Sequence, residues 1–168
     1  MEDKALLSTE VASGAEKAEL LIVIPAYNEA ENIERVVNHL TANFPQYDYV
    51  VVNDGSRDET AAICQRNGYN LLNLPVNLGL AGAFQAGLKY ADKYGYQYAV
   101  QLDGDGQHRP EYLESMIKKM EEGYDIVIGS RFVGEKKPFT MRMLGSNLIE
   151  MAIRFTTGVN IKDPTSGM

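Results

Sequence analysis

The chain has little of what marks secreted, membrane-spanning or nucleic-acid-binding proteins. It carries a single cysteine, Cys64, in 168 residues, which excludes a disulfide framework and fits a reducing compartment. Cys64 falls within the helical pattern Thr60-Ala-Ala-Ile-Cys64, where it reads as a buried structural thiol. No run of about eighteen apolar residues is present, and the N-terminus lacks the apolar core of a signal peptide, so the chain reads as soluble. There is no internal repeat and no low-complexity tract. The glycines of Gly79-Leu-Ala-Gly82 do not make a GxGxxG pattern, and no phosphate-loop lysine motif occurs, which argues against dinucleotide and nucleoside-triphosphatase chemistry.

Positive charge is also scarce: 16 Lys and Arg stand against 23 Asp and Glu, a formal net charge of −7. The shortage is uneven. Residues 1–130 carry 10 basic against 20 acidic side chains, whereas residues 131–168 carry six against three. An acidic body argues against general nucleic-acid binding. The basic end fits phosphate-bearing ligands or an anionic lipid surface, unless it is mere scatter. With 45% hydrophobic and 23% charged residues, the composition is that of one globular domain with a real core.

The chain centres on Gln101-Leu-Asp-Gly-Asp-Gly-Gln107. Tyr96–Leu102 reads as a strand, and Asp103 and Asp105 follow two residues apart, on one side by the strand period. Gly104 and Gly106 remove bulk around them. Two close carboxylates repel unless a cation lies between them, and hard oxygen ligands at a strand end suit Mg²⁺ or Mn²⁺. The bland alternative is an Asp-Gly turn between a strand and a helix.

Upstream, residues 1–18 look like a flexible leader. Leu20–Ile24 is a continuous apolar run, as in a parallel strand buried on both faces, and Pro25 is expected to stop it. Asn28 or its loop then caps a helix from Ala30 to about Asn43. Tyr49–Val52 is a second strand, followed by Asn53-Asp-Gly-Ser56. Ser56 or Asp58 caps a helix ending near Asn67 and Gly68. Leu71–Leu74 is a third strand, and a small-residue helix runs from about Gly79 to Tyr94, its alanines and glycines implying close packing on the sheet. After the fourth strand come a helix from Pro110 to Glu122 and a strand from Asp125 to Ile128. The alternation predicts an α/β fold with a mostly parallel sheet and helices on both faces. Ligands bind at the carboxyl ends of such strands, where Tyr27, Glu29, Asp54, Asp103, Asp105 and Arg131 all fall.

Pro25-Ala-Tyr-Asn-Glu29, Asn53-Asp-Gly-Ser56, Asp103-Gly-Asp-Gly-Gln107 and Gly129-Ser-Arg131, in that order, resemble the family 2 glycosyltransferases of GT-A fold. Asp163-Pro-Thr-Ser-Gly167 makes the chain most similar to the polyprenyl-phosphate, dolichol-phosphate mannose synthase-like branch. The resemblance implies a catalytic domain over residues 19–168 that uses Mg²⁺ or Mn²⁺. It implies a nucleotide-diphosphate sugar donor, UDP- or GDP-linked, and a polyprenyl phosphate acceptor at the cytoplasmic membrane face. Pro25, Ala26, Tyr27 and Glu29 would line the base and ribose pocket, and Asp54 would hydrogen-bond the base. Asp103, Asp105 and Gln107 would hold the metal on the diphosphate. Arg131 and Arg142, with Ser146 nearby, would face donor or acceptor phosphates. Asn53 departs from the family, many of whose members carry a second aspartate there.

The implied chemistry is physically consistent. Breaking the anomeric C–O bond expels a diphosphate whose growing charge a cation and an arginine offset. A phosphate monoester acceptor, with a second pKa of about 6, is already anionic near neutral pH and needs no general base. Asp163 is the candidate if a base exists, the alternative being an Asx turn before Pro164. Residues 139–157 place Met141, Leu144, Leu148, Met151 and Phe155 on one helical stripe, which either lies on a membrane or packs on the core or a partner subunit. His39 reads as a solvated helix position and His108 as a neighbour of the metal site. The chain ends abruptly after Gly167, so truncation at the C-terminus is expected. Three rivals remain: transfer to a saccharide hydroxyl, a nucleotide-sugar pyrophosphorylase (disfavoured by the acidic loop after the first strand), and a non-catalytic nucleotide-sugar-binding module.

Overall fold

The computed structural model describes residues 19–104, 110–129, 151, 154–156 and 158. The leader, most of the 139–157 stripe and the Asp163 motif lie outside the described residues. The chain divides into two compact units, Met1–Glu111 and Tyr112–Met168.

The first unit holds β1 (Leu20–Ala26), α1 (Ile33–Asn43), β2 (Asp48–Asp54), α2 (Thr60–Arg66), β3 (Leu71–Leu74), α3 (Gly79–Tyr94) and β4 (Tyr98–Gln101). The four strands form a sheet of order β3-β2-β1-β4, with every pairing parallel. The order dictates the layers. Right-handed crossovers from β1 to β2 to β3 place α1 and α2 on one face, and the return from β3 past β1 to β4 places α3 on the other.

The core forms where those crossovers cover β1. Leu21, Ile22, Val23 and Ile24 have no exposure, each contributing about 1.5–3 kcal/mol of apolar burial. Leu21 and Val23, with Val50 and Val52 of β2, pack against Ala83 and Ala91 of α3. Gly87, one turn beyond Ala83, explains the small-residue helix: a Cβ there would stand 2.2 Å from Val23 Cγ1. The helix therefore sits on the sheet at a distance that only glycine allows.

Several boundaries differ from expectation, each for a local reason. β1 does not stop at Pro25 but continues to Ala26. Leu102 N–H bonds the Val23 carbonyl, so by alternation the missing N–H of Pro25 faces β4 just where that ladder ends. β4 begins at Tyr98 rather than Tyr96 because the Tyr96 N–H is used by Ala91 and the Gly95 N–H by Asp92. That pair closes α3 through a left-handed Gly95 at φ 69°. α1 begins at Ile33, not Ala30, and Asn28 does not cap it: its side chain accepts from the Arg57 N–H. α2 begins after Glu59, which makes no side-chain cap bond; Asp58, one residue earlier, accepts the Thr60 N–H at 3.0 Å through Oδ1, and Ser56 instead accepts the Asn28 N–H.

A 3-10 turn covers Pro110–Tyr112, and the second unit holds α4 (Leu113–Glu121). The strand expected over Asp125–Ile128 is not formed. No described segment pairs with these residues, and Ile126 is 78% exposed; an apolar alternation without a ladder partner makes no strand.

Two outcomes follow. Gly87→Ala should destabilise the chain by about 1–3 kcal/mol through overpacking, and Val23→Ala in the same chain should recover part of the loss in urea titrations. Cys64 is buried, and that burial pushes its thiol up from the usual 9.0 to about 11. A protein thiol titrating later than its unfolded counterpart binds the extra proton in the folded state, so its contribution is full below pH 9 and is lost as pH rises through about 11. Thiol reagents at pH 8 should therefore label Cys64 only after unfolding; rapid labelling of the native chain would contradict its burial.

Candidate active site

The strand order reverses at β1: the chain leaves toward β2 on one side and returns to β4 on the other. The crevice beyond the carboxyl ends of β1 and β4 is therefore the topological switch point, where open parallel sheets bind ligands. Pro25 and Ala26 end β1 there, both buried, with Tyr27 43% exposed beyond them. Asp103 stands half-buried just past β4, its Oδ1 accepting from Gln101 Nε2 at 2.9 Å.

The two strand ends touch. A Cβ on Gly104 would lie 3.2 Å from the Pro25 carbonyl oxygen, 3.4 Å from Glu29 Cγ and 3.9 Å from Ala26 Cβ. The glycine after Asp103 thus lies close against the Pro25–Glu29 segment and adds no side chain of its own beside the carboxylate.

β2 contributes Asp54, its last residue and only 3% exposed. Its Oδ1 accepts the Leu78 N–H at 2.7 Å, tying the start of α3 to the end of β2. Gly55, at φ 63°, makes this possible: a Cβ there would come within 2.7 Å of the Val76 and Asn77 backbone. Asn53 serves the same edge from the other face, with Nδ2 donating to Asn73 Oδ1 at 2.5 Å and Oδ1 accepting the Ser56 N–H at 3.3 Å. Its amide is thus a tie between β2, β3 and the turn after β2.

The loops after β1 and β2 are joined by hydrogen bonds that no local pattern announces. Asn28, the one described non-glycine residue at positive φ (58°), gives its N–H to Ser56 Oγ and accepts the Arg57 N–H. Glu29 N–H donates to Thr60 Oγ1, and Ala30 N–H to Asp58 Oδ2. The only hint was a run of short polar side chains in Ser56-Arg-Asp-Glu-Thr60, which local capping seemed to exhaust.

Pro25, Ala26, Tyr27, Glu29, Asp54 and Asp103 therefore gather along one edge of the sheet as expected. Asp105, Gln107, His108, Arg131, Arg142, Ser146 and Asp163 lie outside the described residues. Among the described residues no three His, Cys, Asp or Glu side chains group as a metal centre. The hard carboxylate of Asp103 is the donor type that suits a divalent cation. His39 is exposed on α1, as expected, beside Asn43.

The profile of "Glycosyl transferase family 2" matches residues 21–168. The chain belongs to that family. It is 34% identical to the polyprenol monophosphomannose synthase of Mycolicibacterium smegmatis, over 88% of this chain and 59% of that protein. It is 32% identical to the undecaprenyl-phosphate mannosyltransferase of Micrococcus luteus, over 88% of this chain and 64% of that one. It thus spans less than two thirds of these relatives. Among solved structures, glucosyl-3-phosphoglycerate synthase from Mycobacterium tuberculosis superimposes with a TM-score of 0.63 at 20% identity, over 88% of this chain and 54% of that one. Staphylococcus aureus TarS in complex with UDP-GlcNAc gives 0.51 at 27% identity, over 73% and 37%. The parallel α/β architecture is that of the GT-A glycosyltransferases.

The Asp54 tie has a measurable weight. Asp54→Ala, which removes a charge-assisted acceptor, should lower stability by about 1.5–3 kcal/mol. Asp54→Asn keeps an oxygen for the Leu78 N–H and should lose clearly less; equal losses in urea unfolding would show that the bond carries no weight.

Proposed function

We propose that the chain is the donor-binding part of an inverting, metal-dependent glycosyltransferase that moves a sugar from a nucleotide-diphosphate donor to a polyprenyl phosphate. The observation that carries this reading is the seating of Asp103-Gly104 against Pro25–Glu29 at the switch point of a family 2 sheet. The names of the M. smegmatis and M. luteus relatives, both acting on polyprenyl phosphates, support the acceptor class. The neighbour that holds UDP-GlcNAc supports a UDP-linked donor.

In this reading Pro25, Ala26, Tyr27 and Glu29 line the base and ribose pocket, and the second oxygen of Asp54 faces the base. Asp103, with Asp105 and Gln107 following in sequence, would hold Mg²⁺ or Mn²⁺, which supplies Lewis-acid stabilisation of the leaving diphosphate when bound. Arg131, Arg142 and Ser146 would face donor or acceptor phosphates, a role for which a guanidinium is suited. The acceptor phosphate is already anionic and attacks the anomeric carbon in line, while the leaving diphosphate departs on the opposite face. Asp163 orients the acceptor or closes its own turn.

The acceptor places the work at the cytoplasmic face of a membrane, reached by peripheral contact. No described helix is long and apolar enough to cross a bilayer. Met151 and Phe155 of the expected apolar stripe are exposed, as are Arg154 and Thr156.

A thermal-shift panel of UDP- and GDP-sugars, with and without Mn²⁺, tests the donor half. Binding at ~100 Kd should stabilise the chain by about 2.7 kcal/mol. Asp105→Ala should abolish the Mn²⁺-dependent part, and a parental response from that variant would remove the metal assignment. Labelled-sugar transfer with and without polyprenyl phosphate separates a lipid acceptor from a saccharide hydroxyl.

A further inference from the structure

We infer that Asp58 and Thr60, on the turn after β2, are positioning residues for the donor pocket, acting through the backbone of Glu29. The inference rests on the donor reading given above and adds two residues to it.

Thr60 is fully buried. Its hydroxyl donates to Asp58 Oδ1 at 2.5 Å, which fixes the rotor and turns an oxygen lone pair to the Glu29 N–H, 2.9 Å away. The same Asp58 carboxylate accepts the Thr60 N–H at 3.0 Å through Oδ1 and the Ala30 N–H at 3.1 Å through Oδ2. Slight burial raises the Asp58 pKa, but the hydrogen bonds from Thr60 and Ala30 outweigh it and hold the group below its usual value. One carboxylate and one hydroxyl thus fix two consecutive amides of the other loop.

Those amides sit where the backbone is least able to hold itself. Asn28, immediately before, is at φ 58°, a left-handed conformation that asparagine tolerates better than other non-glycine residues, held by its bonds to Ser56 and Arg57. Immediately after, the Glu29 carbonyl accepts the N–H groups of Asn32 and Ile33 and so begins α1. The Glu29 side chain is held at both ends: Oε2 accepts from Asn32 Nδ2 at 2.9 Å, and Cγ lies against Gly104, the residue after Asp103. A shift of the Glu29 backbone therefore moves the side chain that packs on Gly104. Thr60 has no exposed surface with which to meet a nucleotide itself.

The test is Thr60→Val, which keeps the shape and removes both bonds, against Thr60→Ser, which keeps both bonds. Two readouts are taken on each: hydrogen exchange at the Glu29 and Ala30 amides, and the Kd of UDP and of GDP in the presence of Mn²⁺. Thr60→Val should speed Glu29 exchange relative to the β1 amides and raise the nucleotide Kd about five- to tenfold, the worth of one hydrogen bond. Thr60→Ser should restore both. Asp58→Ala, at an exposed position that leaves no core cavity, should act in the same direction and serves if Thr60→Val does not fold. Faster exchange with an unchanged Kd would overturn the positioning role, as would a variant unchanged in both. If the parent chain binds neither nucleotide, the donor reading fails and takes this role with it, while the exchange data still report the clamp. Parental binding separates the two failures.

Discussion

Everything in the first unit depends on β1 being hydrogen-bonded along both edges and covered on both faces. A strand in that position has no surface left for polar side chains, so its sequence is a bare apolar run. Its hydrogen-bonding groups are met by β2 and β4, and its side chains by helices on either side. The polar chemistry is pushed off the strand's end, to Pro25 and beyond. Because β1 is also the strand at which the chain reverses direction across the sheet, its carboxyl end is where a crevice must open. The location of the site is thus a consequence of the core.

Layer spacing carries that constraint outward. Gly87 lets α3 settle onto Val23, and the start of the same helix is tied to Asp54 through Leu78. The depth at which α3 lies on the sheet and the position of the carboxylate at the end of β2 are set by one rigid element. Gly55 completes the arrangement by letting the β3–α3 connection cross the end of β2 at backbone contact. Glycines 55 and 104 mark places where two pieces of main chain approach closely, and Gly87 one where helix backbone meets the Val23 side chain.

Much of this was legible in the sequence. The apolar run of β1, the helix ending at Gly95 and the polar residues just past each strand all follow from local patterning. Strand order does not: nothing in Leu20–Ile24 says which strands lie beside it, only that both sides are occupied. The sequence misled where a local signal was met by a distant partner. Pro25 looked like a stop because its missing N–H is costly in mid-ladder, yet it falls where the ladder to β4 ends. Asn28 looked like a helix cap because its side chain accepts N–H groups, yet the group it accepts belongs to Arg57. Ile126 and Ile128 alternate like a strand, but alternation fixes only a face and supplies no neighbour to bond.

The hydrogen bonds that open α1 and α3 span long stretches of chain: Glu29 to Thr60, Ala30 to Asp58, and Leu78 back to Asp54. Neither helix begins on a side chain of its own first turn. Closing a loop of some thirty residues costs conformational entropy before any bond is gained. The ties from these first turns to the β2 side of the site are therefore made only with β1 and β2 side by side. Cutting the chain between residues 31 and 53 would part the Glu29 and Ala30 amides from Thr60 and Asp58 while leaving Asp54 and Leu78 on one piece. The pocket edge takes its form from ties made across the sheet rather than within either loop.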